Sequence, residues 1–291
     1  MTKIRNLIFT FSVAGSLALG QDPAPDPEPA VAYSMETTLA TNFVWRGQRL
    51  TDGCNFQPSG TLSVKGFAAN VWGKLDLQAV SEGDDFYLRD NPAAPPGGGS
   101  GLRGKFSEVD LTLSYARELG DVSMQAGLIT YILPYNLGSC PSTTEVFGGV
   151  SLDSVPLAPA VRLNVDIDET RKRGQAGLYL ELAGGHSFPL SSKRLKSVDI
   201  SGTVGITNAG FAEYCYDFDE AGFHDVSFSA HLPLDIGRGW TSKLFLTYSS
   251  LLGKYRDYQF VNLPDLYRGT AGPPSSYADT IWGGITFAFG P

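Results

Sequence analysis

The sequence predicts an all-β chain, an antiparallel up-and-down transmembrane β-barrel of about 12 strands. Three observations predict it. Apolar and polar residues alternate with period two in run after run from Ala32 onward, long and short connections take turns between the runs, and the last run, Thr280 to Phe289, closes on aromatic residues two apart. Composition agrees: 42% hydrophobic residues against 18% charged, with 34 Gly, 17 Phe and 13 Tyr, suit strands and glycine turns better than packed helices.

Residues 1–20 read as a secretory signal, with Lys3 and Arg5 ahead of an apolar run from Leu7 to Leu19 and small residues at Ala18 and Gly20. Residues 21–31 carry Pro23, Pro25, Pro27 and Pro29, which cannot join a ladder, and form an extended Pro-rich leader. Residues 32–291 are then the barrel. Beyond Gly20 there is no run of about 18 apolar residues, so membrane crossing falls to strands.

The first strand places Tyr33, Met35, Thr37, Leu39, Thr41, Phe43 and Trp45 on one face, and a polar loop over 46–55 follows. A short second strand sets Leu62 and Val64 against Thr61, Ser63 and Lys65, Gly66-Phe67 turns the chain, and the third strand alternates Val71, Gly73, Leu75 and Leu77 with polar neighbours. After a loop rich in Asp, Pro and Gly over 81–105, the fourth strand is the cleanest, Val109, Leu111, Leu113 and Tyr115 alternating with Glu108, Asp110, Thr112 and Ser114. Strands five to eight follow from Val122, Thr144, Val161 and Leu178, and strands nine to eleven from Val198, Val226 and Lys243. Between them lie an acidic, aromatic loop at 208–222 and the longest loop at 252–276. In a soluble sandwich the polar face would meet bulk water and the turns would not sort by length, whereas an even-stranded barrel puts its long loops at one end.

The strand parity puts Glu36, Lys65, Lys74, Asp76, Glu108, Asp110, Arg162, Asp166, Glu181, Asp199, Asp225 and Lys243 on the inner face. Such a wall makes either an ion-paired plug or a narrow wet pore, and if it is open its acidic excess favours cations. Without Lys3 and Arg5 the chain holds 20 basic and 30 acidic residues, a balance that disfavours nucleic acid as partner. Tyr33, Trp45, Tyr115, Tyr248 and Phe289, near strand ends, suit an interfacial aromatic girdle.

Signals for other chemistry are weak. His186 stands toward the short-turn end, and His224 falls on the lipid-facing parity with Ser227 on the opposite one, so no nucleophile and base meet and no catalysis is expected. Gly97 to Gly101 lack a phosphate-loop ending, and Asp217, Asp219 and Glu220 lack calcium-loop spacing, so neither metal nor cofactor is expected. Cys54, Cys140 and Cys215 are too few for a disulfide scaffold; one bridge could form in an oxidising compartment.

Gly284, Phe287 and Phe289 in the closing strand resemble the C-terminal signal read by the barrel-assembly machinery. Thr41-Asn42-Phe43-Val44-Trp45-Arg46-Gly47, Gln57-Pro58 and Trp72-Gly73 resemble the opening of the proteobacterial TorF-type porin family, over about the first eighty residues. The resemblance implies a barrel in the outer membrane of a Gram-negative bacterium, partnered by outer-membrane lipids and passing small solutes. It brings no catalytic residues.

Overall fold

In the computed structural model the described residues are 31–78, 102–135, 142–168, 174–216, 218–258 and 278–290. The expected signal and all but the last residue of the Pro-rich leader lie outside them, as do Gly97 to Gly101, Cys140 and Asp217. In chain order the strands are β1 (Ala32–Ala40), β2 (Phe43–Trp45), β3 (Gln48–Thr51), β4 (Asn55–Val64), β5 (Phe67–Asp76), β6 (Phe106–Leu119), β7 (Val122–Ile132), β8 (Thr143–Leu152), β9 (Ala160–Asp166), β10 (Gly177–Pro189), β11 (Ser197–Thr207), β12 (Gly222–Gly237), β13 (Trp240–Leu251) and β14 (Asp279–Phe289). Two short helices, α1 (Ala209–Tyr216) and α2 (Gly253–Tyr258), sit in long connections.

Twelve of these strands, all but β2 and β3, form one closed antiparallel barrel. Closure runs through β1, which pairs with β14 from Met35↔Phe289 to Ala40↔Gly284 and with β4 from Ala32↔Ser63 to Ala40↔Asn55. Such a ring leaves no strand edge unpaired. Gly284 is held at this seam by packing: a Cβ there would lie 2.1 Å from the Leu39 carbonyl oxygen and 2.9 Å from the inward Phe245 ring.

The two faces are inverted relative to a water-soluble protein. Leu113 is 55% exposed, Phe228 59% and Ile281 70%, whereas Asp76, Asp110 and Asp225 are 1% exposed. Among the described residues no second sheet covers the apolar side, so the sandwich alternative fails and the barrel exterior is a surface for hydrocarbon. Cross-strand pairs such as Leu113↔Leu128, Val71↔Leu111 and Leu163↔Leu180 make this surface continuous. Arginine in place of Leu163, a central residue of the outer face, should cost about 2–4 kcal/mol. Urea unfolding in lipid vesicles measures that loss, which Arg at the solvent-exposed Lys65 turn should not produce.

Long connections, including both helices, gather at one end of the barrel and shorter turns at the other. At the short-turn end Tyr33 and Trp240 pack on Phe289, with ring centroids 6.3 and 5.1 Å away, and Phe67 packs on Tyr115 at 4.7 Å, an aromatic girdle as expected. Trp45 departs from that expectation. The first barrel strand ends at Ala40 rather than continuing to Trp45, and residues 46–55 are not an outer loop: Phe43–Trp45 and Gln48–Thr51 pair as a hairpin with Phe43 fully buried. Asn55–Val64 then makes the second barrel strand longer than its two alternating apolar residues suggest.

Candidate functional site

The hairpin turns into the barrel because its side chains are apolar where a surface loop would be polar. Phe43 packs on Trp72, ring centroids 5.7 Å apart, with Leu50 and Leu102 alongside. Val44 packs with Ala40, Phe245 and Trp282. At its base Asn42 Nδ2 donates to Asp52 Oδ1 at 2.7 Å, and Lys74 of β5, paired with Asp76 at 2.8 Å, donates to Thr51 Oγ1 at 2.6 Å and to Ser107 Oγ at 3.0 Å. The wall thus holds the hairpin by apolar packing and by a buried ammonium.

At the tip, Arg46 and Gly47 form the two central turn residues, with φ of 47° and 73°. Positive φ at both is the type I′ geometry, which suits the twist of a two-residue hairpin. Gly47 is required for a second reason, since a Cβ there would lie 2.4 Å from Asp225 Cβ. Gly47→Ala should therefore lift the tip off the wall and lower stability by about 1–3 kcal/mol. The check is a lower thermal midpoint with an unchanged far-ultraviolet β-spectrum.

Arg46 donates from Nη1 to Glu145 Oε1 at 2.8 Å and from Nη2 to Glu145 Oε2 at 2.7 Å, a two-pronged ion pair on β8. Its guanidinium carbon lies 4.3 Å from the Trp45 ring centroid and 4.1 Å from that of Tyr179 on β10, with Phe211 of α1 at 5.5 Å. Tyr131 on β7 donates to Glu145 Oε2 at 3.1 Å. Burial by itself disfavours the Arg46 charge, but Glu145 outweighs it and holds the guanidinium above its ordinary pKa. β10 stands five places from β1 in a ring of 12, all but diametrically opposite. Arg46 therefore carries the hairpin across the bore.

From the other side α1 meets it. Asn208 starts the helix, its Oδ1 accepting from Phe211 N at 3.0 Å and from Leu178 N at 2.8 Å. Helix residues Phe211, Ala212 and Tyr216 are buried with Tyr179, Leu251 and Tyr255, and Phe211 stacks on Trp45 at 6.3 Å. The Tyr216 hydroxyl lies 3.1 Å from Gln48 Oε1 and 2.8 Å from His224 Nε2. Burial raises its pKa well above the ordinary value, so it stays protonated. His224 Nδ1 is 2.6 Å from Asp225 Oδ1, which also accepts from the Tyr179 hydroxyl at 3.0 Å.

His224 corrects the parity reading. The β11–β12 register shifts between Gly205 and Ile206, and this irregularity turns two successive residues, His224 and Asp225, inward instead of leaving His224 toward lipid. Of the other inner-face expectations, Lys65 is the exception. It occupies the β4–β5 turn, φ 49°, and is exposed.

The remaining residues stand on the inner wall at different depths. Glu108 and Asp110 are buried on β6, and Arg162, 3.9 Å from the Phe147 ring centroid, pairs in register with Glu181. Asp166 accepts from Thr143 Oγ1 at 2.7 Å, and Asp199 from Ser187 Oγ at 2.6 Å. Glu36 and Lys243 are half-buried, and His231, buried, sits in register between Asp199 and Phe245. Of the expected inner-face residues, Asp225 lies against the hairpin tip at Gly47 and Lys74 holds its base through Thr51. Glu220 of the acidic loop pairs with Lys254, and Cys54 is a free thiol.

Two central residues escaped the sequence reading. Glu145 shares the parity of Phe147 and opposes Val146, so alternation alone could have placed it inward. Arg46 was hidden by its assignment to a polar loop, although Phe43, Val44, Trp45 and Leu50 around it gave the signal of a hairpin that buries itself.

Together the apolar exterior and the charged, occupied interior define a membrane-spanning β-barrel with an inward plug. No family model matches the chain, and no curated protein matches it, so the TorF-type likeness rests on the short motifs quoted above. Among solved structures, the chain is similar to the NanC porin at 10% identity and a TM-score of 0.46, over 89% of this chain and 99% of that one. An outer-membrane channel from Pseudomonas putida F1 gives 10% identity and a TM-score of 0.46 over 92% and 100%. The outer-membrane phospholipase A from Escherichia coli gives 10% and 0.35 over 90% and 96%. Such distant likenesses leave the functional reading to the interior itself.

Proposed function

We propose that this chain is an outer-membrane channel for passive passage of small solutes, mildly cation-preferring, whose bore is narrowed by its own hairpin. The observation that carries the reading is the inner wall. With Glu145 added and Lys65 removed, its carboxylates outnumber Arg46, Lys74, Arg162 and Lys243 by about two to one, and such a wall favours cations in a low-dielectric bore. The long-loop end faces the exterior and the short-turn end the periplasm in this reading, which matches the loop asymmetry of bacterial outer-membrane barrels. Partners are outer-membrane lipids around the Leu, Val and Phe belt and the barrel-assembly machinery acting on Gly284, Phe287 and Phe289.

The Arg46–Glu145 bridge supports a second reading, a non-conducting barrel that displays surface loops, because a permanently seated hairpin would block solutes. Recordings in planar bilayers under a salt gradient separate the two. Discrete steps with a reversal potential of cation-selective sign support the channel. Absence of steps across many insertions supports the closed barrel.

A further inference from the structure

Arg46 is held as a ligand would be held. Its cation meets a carboxylate through two parallel hydrogen bonds, lies between two aromatic faces, and finds the carboxylate already oriented by the Tyr131 hydroxyl. A plug needs none of this: well-packed apolar residues fill a bore at lower desolvation cost than a buried ion pair does. The fork and the ring faces are the features that discriminate a planar guanidinium from a compact ammonium.

We propose that Glu145, Tyr131, Tyr179, Phe211 and Trp45 form a binding site for solutes bearing a guanidinium group, and that Arg46 is a tethered stand-in occupying it when no solute is bound. A solute that displaces Arg46 takes over its bonds to Glu145 and releases the Arg46 side chain from the far wall. The site would then name the solute class of the channel, so its role in transport rests on the channel reading, while the binding itself does not. Being tethered, Arg46 competes at an effective concentration of millimolar order or above, which keeps the site closed to dilute ligands in the intact chain.

Emptying the site tests this. Arg46 sits at φ 47°, a conformation that Gly and Asn adopt readily, so Arg46→Gly and Arg46→Asn vacate the cage without straining the turn. Folded barrels in detergent, verified by heat-modifiable gel mobility, are titrated calorimetrically with methylguanidinium and, separately, with methylammonium. Both variants should bind methylguanidinium at one site per chain, and methylammonium about tenfold more weakly or worse. The wild type should show no saturable heat at the same concentrations, and Glu145→Gln added to either variant should abolish binding. Folded variants that bind neither cation, or bind both equally, would overturn the site. Saturable binding together with no current in bilayers would keep the site and overturn only the channel.

Discussion

Excising Phe43–Thr51 and joining Asn42 to Asp52 should turn a barrel of small, interrupted conductance into one with a severalfold larger, steady current. The join is short, because Asn42 and Asp52 already meet by a 2.7 Å hydrogen bond. It leaves the wall intact, because Ala40 pairs directly with Asn55 and neither β2 nor β3 belongs to the barrel ladder. What leaves is the bridge from the β1–β4 wall to Glu145 on β8 and Tyr179 on β10. Trp72, Phe245 and Trp282 lose the apolar cover of Phe43, Leu50 and Val44, so stability should fall by a few kcal/mol, at about 25 cal/mol per Å² of apolar surface re-exposed. A 12-stranded barrel lies between the filled eight-stranded type and the open sixteen-stranded porin, so the segment crossing its bore decides whether it conducts. An unchanged current would mean that the hairpin is not the obstruction.

Glu145→Gln should be the most damaging single change in the interior. The substitution keeps size and shape but strands the Arg46 guanidinium, whose side chain is 8% exposed, without its counter-charge. Breaking a buried pair from one side costs about 3–5 kcal/mol. Part of that cost is relieved if the tip leaves the bore, so the variant should show both a lower unfolding midpoint and bursts of larger current. Adding Arg46→Gly should recover much of the lost stability, since no charge is then stranded, and a double-mutant cycle measures the coupling. Cutting the exposed Lys254–Glu220 pair should by contrast move the midpoint little, at about 0–1 kcal/mol.

How far the sequence announces this molecule depends on what period two can and cannot encode. Where a strand has lipid on one side and the bore on the other, as from Val109 to Tyr115, alternation gives element, face and fold class together. It does not report where a strand leaves the wall. Phe43 and Trp45 keep the parity of Leu39, yet the chain departs at Ala40, because a hairpin lying inside the bore alternates as well. Parity also assumes an unbroken ladder, and the shift at Gly205 and Ile206 is what turned His224 from an expected lipid-facing residue into the partner of Asp225 and Tyr216. Helix α1 lay hidden in the expected acidic, aromatic loop at 208–222, since eight residues carry too weak a periodic signal to stand out from a loop. The Arg46 cage lay furthest from reach, being assembled from residues of β2, β7, β8, β10 and α1 that share no local pattern.

The plug requires the hairpin to lie inside the barrel, and a crosslink tests that placement most directly. With Cys54, Cys140 and Cys215 replaced by serine, Val44→Cys on the hairpin and Phe245→Cys on β13, which occupy one buried cluster, are treated with a short bismaleimide in the folded barrel. The expected result is a single intramolecular link that speeds migration of the unfolded chain on a gel and vanishes when Val44 alone is left unsubstituted. A folded barrel that leaves both thiols singly labelled would put the hairpin outside the bore, and the plug and its cage would go with it.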